Sequence, residues 1–345
     1  MNIQVIIPAH LNSIRLKRKV LININGLPMI EHVRRRVLLS KNINKVHIAT
    51  GDIEIKNIVE NYGGDTIFTK KNHINGTSRI SEAVDKINCT HVILVQGDEP
   101  LLIPRYIDLF VEGMKKSKEE KMWNAVSRFK KRFVDETSIV KCFLDRNDNI
   151  IICFRTIPSN SKTSIFKNSL FKIQGLIGYE KNFLKKLVSM NETPFEKAES
   201  IEQMRAIEYG NKIKAIFLPK SFSSVNNLPE LKKVKEILNE DLDQIKILKK
   251  IKWLFKMTNN DFLNKQKNIE ITQEEIFLFI KKNRKFYENK VNLYLSKINI
   301  SNDSPLWWAF NFTSKNPLNS NFFEKLMVSL ALIDIYKNSK KKNKL

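Results

Sequence analysis

Cysteine is scarce in this chain of 345 residues, and the three present, Cys89, Cys142 and Cys153, are odd in number and far apart. That argues against a disulfide framework and against a cysteine-based metal knuckle, leaving three small core residues. Glycine and proline are equally thin, ten of each, which excludes collagen-like and low-complexity architectures. Long apolar runs are missing too. A bilayer span needs about 20 consecutive apolar residues, and the best stretches, such as Leu326 to Ile333, stop well short. Met1 to Ala9 lacks the basic start and apolar stretch of a secretory signal, so the chain is expected to be cytoplasmic. Acidic residues are outnumbered, 36 against 60 Lys plus Arg, for a net charge of +24.

What is present describes a globular chain. Hydrophobic residues make up 42% and charged residues 28%, enough to bury a sizeable core, and the length suits two domains. The positive charge invites a nucleic-acid partner, because Lys and Arg bind polyanions by releasing counterions. It is spread along the whole chain, however, and no nucleic-acid module accompanies it, so a specific nucleic-acid partner is not expected. Anionic substrates or a negative membrane surface suit the charge equally well.

The first hundred residues alternate strand-like and helix-like patterns, the signature of a mostly parallel sheet covered by helices. Gln4 to Pro8, Lys45 to Thr50 and His91 to Val95 read as strands. Met29, Ile30, Val33 and Val37 recur at helical spacing; Asp52 is an expected N-cap, Gly63-Gly64 a helix stop, and Thr77 the cap of a further helix. After about residue 240 the character changes, and helical spacing over Ile276, Ile280, Tyr287 and Val291 and again over Phe323 to Ile333 predicts a helical domain. The expected division is 1–242 and 243–345. Trp307 and Trp308 fit a small Trp core in the second part, with an aromatic surface for a partner or a membrane interface as the alternative.

In an open α/β sheet, ligands bind beyond the carboxyl ends of the strands. The segments just after each strand are the unusual ones here. His10 to Lys19 packs four cations, Arg15, Lys17, Arg18 and Lys19, into five residues beside Ser13, a set able to envelop a triphosphate or simply a solvated basic turn. Gln96-Gly97-Asp98-Glu99-Pro100 ends the third strand, and a carboxylate there beside a glycine suits Mg²⁺ shared with substrate phosphates. His73 to Arg79 opens a helix, where backbone N–H groups and an Arg favour anions, although a capped helix with a surface Arg explains it as well.

Taken in order, these segments resemble the cytidylyltransferases that activate 3-deoxy-manno-octulosonate (KDO), within the synthetases of CMP-linked ulosonic acids. Ile7-Pro8-Ala9, Ser13, Arg15-Leu16 and Lys19, then Asn25-Gly26-Leu27-Pro28-Met29-Ile30, then His73, Gly76-Thr77 and Arg79 carry the likeness. Val95-Gln96-Gly97-Asp98-Glu99-Pro100 and Glu199 to Arg205 continue it, so that it runs from Asn2 to about Leu238. The resemblance implies a Rossmann-like nucleotide-sugar transferase fold with a mixed, mostly parallel sheet and a small dimerisation subdomain, working as a homodimer with Mg²⁺. The implied reaction joins CTP to a sugar acid, giving CMP-sugar and pyrophosphate, for lipopolysaccharide or surface polysaccharide synthesis. It assigns His10, Ser13, Arg15 and Lys19 to the triphosphate, and Lys19 and Asp98 to catalysis. His73, Gly76, Thr77 and Arg79 would hold the nucleotide. Gln96, Arg155, Tyr179, Glu202 and Gln203 would face the sugar acid, with the Arg155 fork on its carboxylate. Asp98 and Asn226 would hold the metal. Where the family carries Arg and Asp, this chain has His10 and Asn226, each one charge poorer. The family's sugar-binding His is also absent from Lys172-Ile173-Gln174-Gly175. A related sugar acid, 8-amino-KDO or a legionaminic or sialic type, and a weakly active nucleotide-binding homologue are the alternatives.

Overall fold

The structure is a computed structural model that describes residues 1–13, 15–128, 135–157, 169–221 and 224–256. The chain divides into two compact units, Met1–Trp253 and Leu254–Leu345. The helices expected over 276–291 and 323–333, and Trp307 and Trp308, lie outside the described residues.

Three strands fall where the apolar runs put them: β1 (Ile3–Ala9), β4 (Val46–Thr50) and β6 (His91–Val95). Between them lie a short hairpin of β2 (Asn23–Ile24) and β3 (Leu27–Pro28), then α1 (Met29–Leu38), α2 (Ile53–Asn61), β5 (Asp65–Phe68) and α3 (Gly76–Ala83). Gly63, with φ of 68°, follows α2 as the expected stop. Two caps differ from expectation. Asp52 stands at the N-cap of α2, but its carboxylate bonds elsewhere. The cap of α3 is Asn75, whose side chain accepts from the Ser78 N–H in a reciprocal capping box, and Thr77 lies inside the helix.

The chain continues through α4 (Pro104–Lys116), β7 (Met122–Arg128), β8 (Lys141–Leu144), β9 (Ile150–Phe154) and β10 (Phe171–Glu180). It closes with α5 (Lys181–Ser189), α6 (Pro194–Glu199), α7 (Gln203–Glu208), β11 (Lys214–Leu218), α8 (Leu228–Glu240) and α9 (Leu242–Lys256). The central sheet has the order β11-β7-β10-β6-β1-β4-β5, with β8 and β9 carried on the end of β10. Only β10 runs against its neighbours along that path; every other neighbouring pair is parallel. Such strands are covered on both faces, which is why Val46 to Thr50 and Val92 to Val95 are buried without alternation. All three cysteines are buried and free. Among the described residues, no helix is long and apolar enough to cross a membrane.

Strand order reverses around β1, which has β4 on one side and β6 on the other. The loops after β1 and β6 therefore flank one crevice, the place where an open α/β sheet accepts ligands.

Candidate active site

The basic loop and the acidic turn meet across that crevice. Lys19 Nζ lies 2.5 Å from Asp98 Oδ2, and both side chains keep under a fifth of their surface exposed. Beside them Arg15 donates from Nη2 to Asn226 Oδ1 at 3.2 Å. The Val225 N–H donates to the Asp98 carbonyl at 2.9 Å, tying the segment before α8 to the turn after β6. The loop itself is held by Asp52, whose Oδ2 accepts the Leu11 N–H at 3.0 Å. That carboxylate was legible in the sequence only as a helix cap. The imidazole of His10 is surrounded by Arg79, Lys19, Asp52 and Asp98. Burial, and then the two cations, hold its pKa below the usual 6.5, leaving it neutral at pH 7. Four groups assigned to the triphosphate or metal thus come together: Lys19, Asp98, Arg15 and Asn226.

Asp98 and Asn226 offer one carboxylate and one amide oxygen. No cluster of three or more His, Cys, Asp or Glu suited to a metal exists among the described residues. Hard oxygen donors in so small a number fit Mg²⁺ as it is usually held, shared with substrate phosphates and water, rather than a cation caged by protein alone.

A cavity of about 820 Å³ opens next to this cluster, with Gln96, Asn226 and Gln203 among its walls. Gln96, Arg155, Glu202 and Gln203 all line it, as does Gly76 from the start of α3. Tyr179 does not. It is fully buried, and its hydroxyl bonds Thr77 Oγ1 at 3.2 Å beside a separate cavity of about 40 Å³. A large aromatic in a strand between two others packs into the core, and its polar tip finds an internal partner. Glu202 borders both cavities, and burial raises its pKa above the usual carboxylate value.

Arg79 also has a structural task. Its guanidinium is buried and donates to Thr69 Oγ1 at 2.7 Å and to the carbonyls of Lys70 and Lys71 at 3.0 Å. It fixes the segment leading from β5 towards His73, whose Nε2–H donates to Glu82 at 2.9 Å. The glycine of the acidic turn serves packing: a Cβ on Gly97 would meet Ile30 Cδ1 at 3.2 Å and the Pro8 carbonyl oxygen at 3.3 Å.

Asn124, behind the cavity wall, carried little signal in the sequence. Gln203 donates to Asn124 Oδ1 at 2.9 Å, and Asn124 in turn donates to the Gln174 carbonyl at 3.0 Å. Glu99 lies buried under the turn, accepting the Gly175 N–H at 3.1 Å; burial first, and then the neighbouring Asp98 charge, push its pKa up to about 7. A buried polar residue inside a strand pattern is what could have flagged Asn124.

The family model described as Cytidylyltransferase matches residues 4–213. A 3-deoxy-manno-octulosonate cytidylyltransferase of Fusobacterium nucleatum subsp. nucleatum is 38% identical over 239 residues, 68% of this chain and 96% of its own length. An 8-amino-3,8-dideoxy-manno-octulosonate cytidylyltransferase of Shewanella pealeana is 33% identical over 238 residues, 67% of this chain and 96% of its own. Among solved structures, a CMP:2-keto-3-deoxy-manno-octonic acid synthetase complexed with CTP superposes with a TM-score of 0.66 and 28% identity, covering 70% of this chain and all of that one. The crevice between β1 and β6, the paired Lys19 and Asp98 and these likenesses agree: the chain belongs to the cytidylyltransferase family, in the group of the 3-deoxy-manno-octulosonate cytidylyltransferases.

Proposed function

We propose that this protein couples CTP to a 3-deoxy-octulosonate sugar acid, KDO in the first instance, and releases pyrophosphate. The observation that carries it is the meeting of Lys19 and Asp98 at 2.5 Å in the crevice beyond β1 and β6, where an open α/β sheet accepts ligands, beside a cavity of about 820 Å³. The anomeric hydroxyl oxygen of the sugar attacks the α-phosphorus of CTP. A new P–O bond forms, the bond to the β-phosphate oxygen breaks, the hydroxyl proton leaves to solvent, and the electron pair departs with pyrophosphate. Little covalent work falls to the protein, so positioning and charge neutralisation supply the rate.

Lys19 and Arg15 serve as fixed cations for the triphosphate. Asp98 and Asn226 would hold Mg²⁺, which when bound supplies charge neutralisation on the phosphoryl oxygens. Asp52 keeps the loop backbone in place, and neutral His10 contributes a hydrogen-bonding group in place of a cation. Gln96, Glu202 and Gln203 supply polar contacts for the sugar hydroxyls. The same chemistry on the 8-amino sugar is the second reading, favoured by the likeness to the Shewanella protein. Pyrophosphate release measured with CTP, Mg²⁺ and a panel of sugar acids tests both. Release with KDO, with its 8-amino analogue or with both is expected, and no release with any acid overturns the proposal.

A further inference from the structure

Resting on the role proposed above for Asp98, we infer that Gln244 is a positioning residue for the reaction. From α9, beyond the family match that ends at residue 213, it fixes the turn that carries Asp98. The segment from Gln96 to Ile103 links β6 to α4 and has no ladder of its own. Within it Pro100 supplies no N–H and holds its own φ near −65°. The Leu102 N–H reaches back to the Glu99 carbonyl at 3.1 Å, closing a turn with Pro100 at the second position, where proline is favoured. Leu101 and Leu102 are both buried. A buried carbonyl in such a turn needs a donor from elsewhere in the protein.

Both carbonyls have one. Gln244 donates from Nε2 to the Leu101 oxygen at 2.9 Å, and Arg36 donates from Nη1 to the Leu102 oxygen at 3.0 Å. At the other end of the segment, the Gln96 N–H donates to the Gly175 carbonyl at 3.0 Å and the Asp98 carbonyl accepts the Val225 N–H. Arg36 and Gly175 belong to the matched region; Gln244 does not.

Gln244 is itself well held. Its N–H donates to Asp241 Oδ1 at 3.0 Å at the start of α9. It shares a helix face with Leu248 and Ile251, four and seven residues on, which bury against Leu27. The side chain is 3% exposed, and its Oε1 meets no donor among the described residues. An amide with one end unpaired is a poor way to fill an apolar seam, and the one bond from its side chain goes to the turn beside Asp98. If that bond is lost, the Pro100–Leu101 peptide can rotate, and the Glu99 carbonyl and the Asp98 peptide move with it. A displacement of about 1 Å at a reacting group is enough to lower a rate about a hundredfold.

The test uses the full chain. Gln244→Met keeps the length and the apolar fit and removes the donor, while Leu248→Ala loosens the same helix face without touching the turn. Wild type and both variants are compared by thermal unfolding, by Mn²⁺ binding to the protein–CTP complex followed by electron paramagnetic resonance, and by pyrophosphate release. Gln244→Met is expected to weaken Mn²⁺ binding about fivefold or more and to lower kcat about tenfold or more, with KM for the sugar acid within about twofold. Leu248→Ala is expected to lower the melting temperature at least as far, yet to leave Mn²⁺ binding and kcat within about twofold of wild type. Wild-type Mn²⁺ affinity or wild-type kcat in Gln244→Met overturns the inference. So does Leu248→Ala if it reproduces both losses, because any loosening of α9 would then suffice. Wild type that binds Mn²⁺ with CTP but releases no pyrophosphate with any sugar acid defeats the functional reading alone, and the Mn²⁺ comparison still decides the role of Gln244. Wild type that binds no Mn²⁺ with CTP overturns both.

Discussion

At the scale of single residues, the site runs one charge short in two places. Asn226 takes a bond from Arg15 where a carboxylate would offer an anion. Restoring it with Asn226→Asp should lower the Mg²⁺ concentration for half-maximal rate roughly fivefold, for about 1 kcal/mol of added attraction. A metal titration of the pyrophosphate assay checks this, and an unchanged midpoint would place the ion away from residue 226. Glu99 supplies a pH dependence. Its pKa is raised from 4.5 to about 7, chiefly by burial, so the folded state keeps a proton that the unfolded state has lost. Stability from this group is therefore present below pH 4.5 and declines as pH rises to about 7, by on the order of 3 kcal/mol in all. Glu99→Gln has no such titration. Its melting temperature relative to wild type should improve by several degrees between pH 5 and pH 8 in metal-free buffer, and equal shifts at both pH values would refute the assignment.

At the scale of elements, the strand ends decide what the site can hold. Gly175 is where β10 passes beneath the acidic turn, and a Cβ there would meet Glu99 Oε1 at 2.5 Å and Gln96 Cγ at 2.8 Å. Gly175→Ala should cost about 1–3 kcal/mol of stability and displace both turn residues, so chemical denaturation and sugar KM should worsen together. The same elements explain what the sequence could reveal. Strands β1, β4 and β6 were legible as short runs rich in apolar residues, unbroken from Val92 to Val95 in β6 as burial on both faces favours, and the loops after β1 and β6 stood out by charge. Tyr179 was misplaced because the resemblance supplies a residue type but not its orientation: β10 has a register irregularity between Ile173 and Ile177, which leaves face assignment along the strand undetermined by counting. The structural tasks of Asp52 and Arg79 escaped for a different reason. Most of their partners, the Leu11 N–H and the Lys70 and Lys71 carbonyls, are main-chain groups, which leave no mark in side-chain pattern.

At the scale of the whole molecule, α9 is the part of the described chain that lies furthest beyond the family match. It docks through Ile251 and Leu248 against Leu27, while Arg35 donates to the Ile251 carbonyl at 2.8 Å and Gln244 to the Leu101 carbonyl at 2.9 Å. A chain ended at Glu240 loses all of these and leaves buried Arg35 with one acceptor fewer; it should be less stable by at least about 3 kcal/mol. A chain ended at Lys256 retains them, and comparison of the two by thermal unfolding checks the difference. The hydrogen bond from Val225 to Asp98 has a consequence for biosynthesis. The two sides of the crevice are made more than a hundred residues apart, so a ribosome must deliver nearly the entire first unit before the crevice can close into a binding site. CTP should accordingly act late on the newborn chain, as a latch on a finished fold and not as a template for an emerging one.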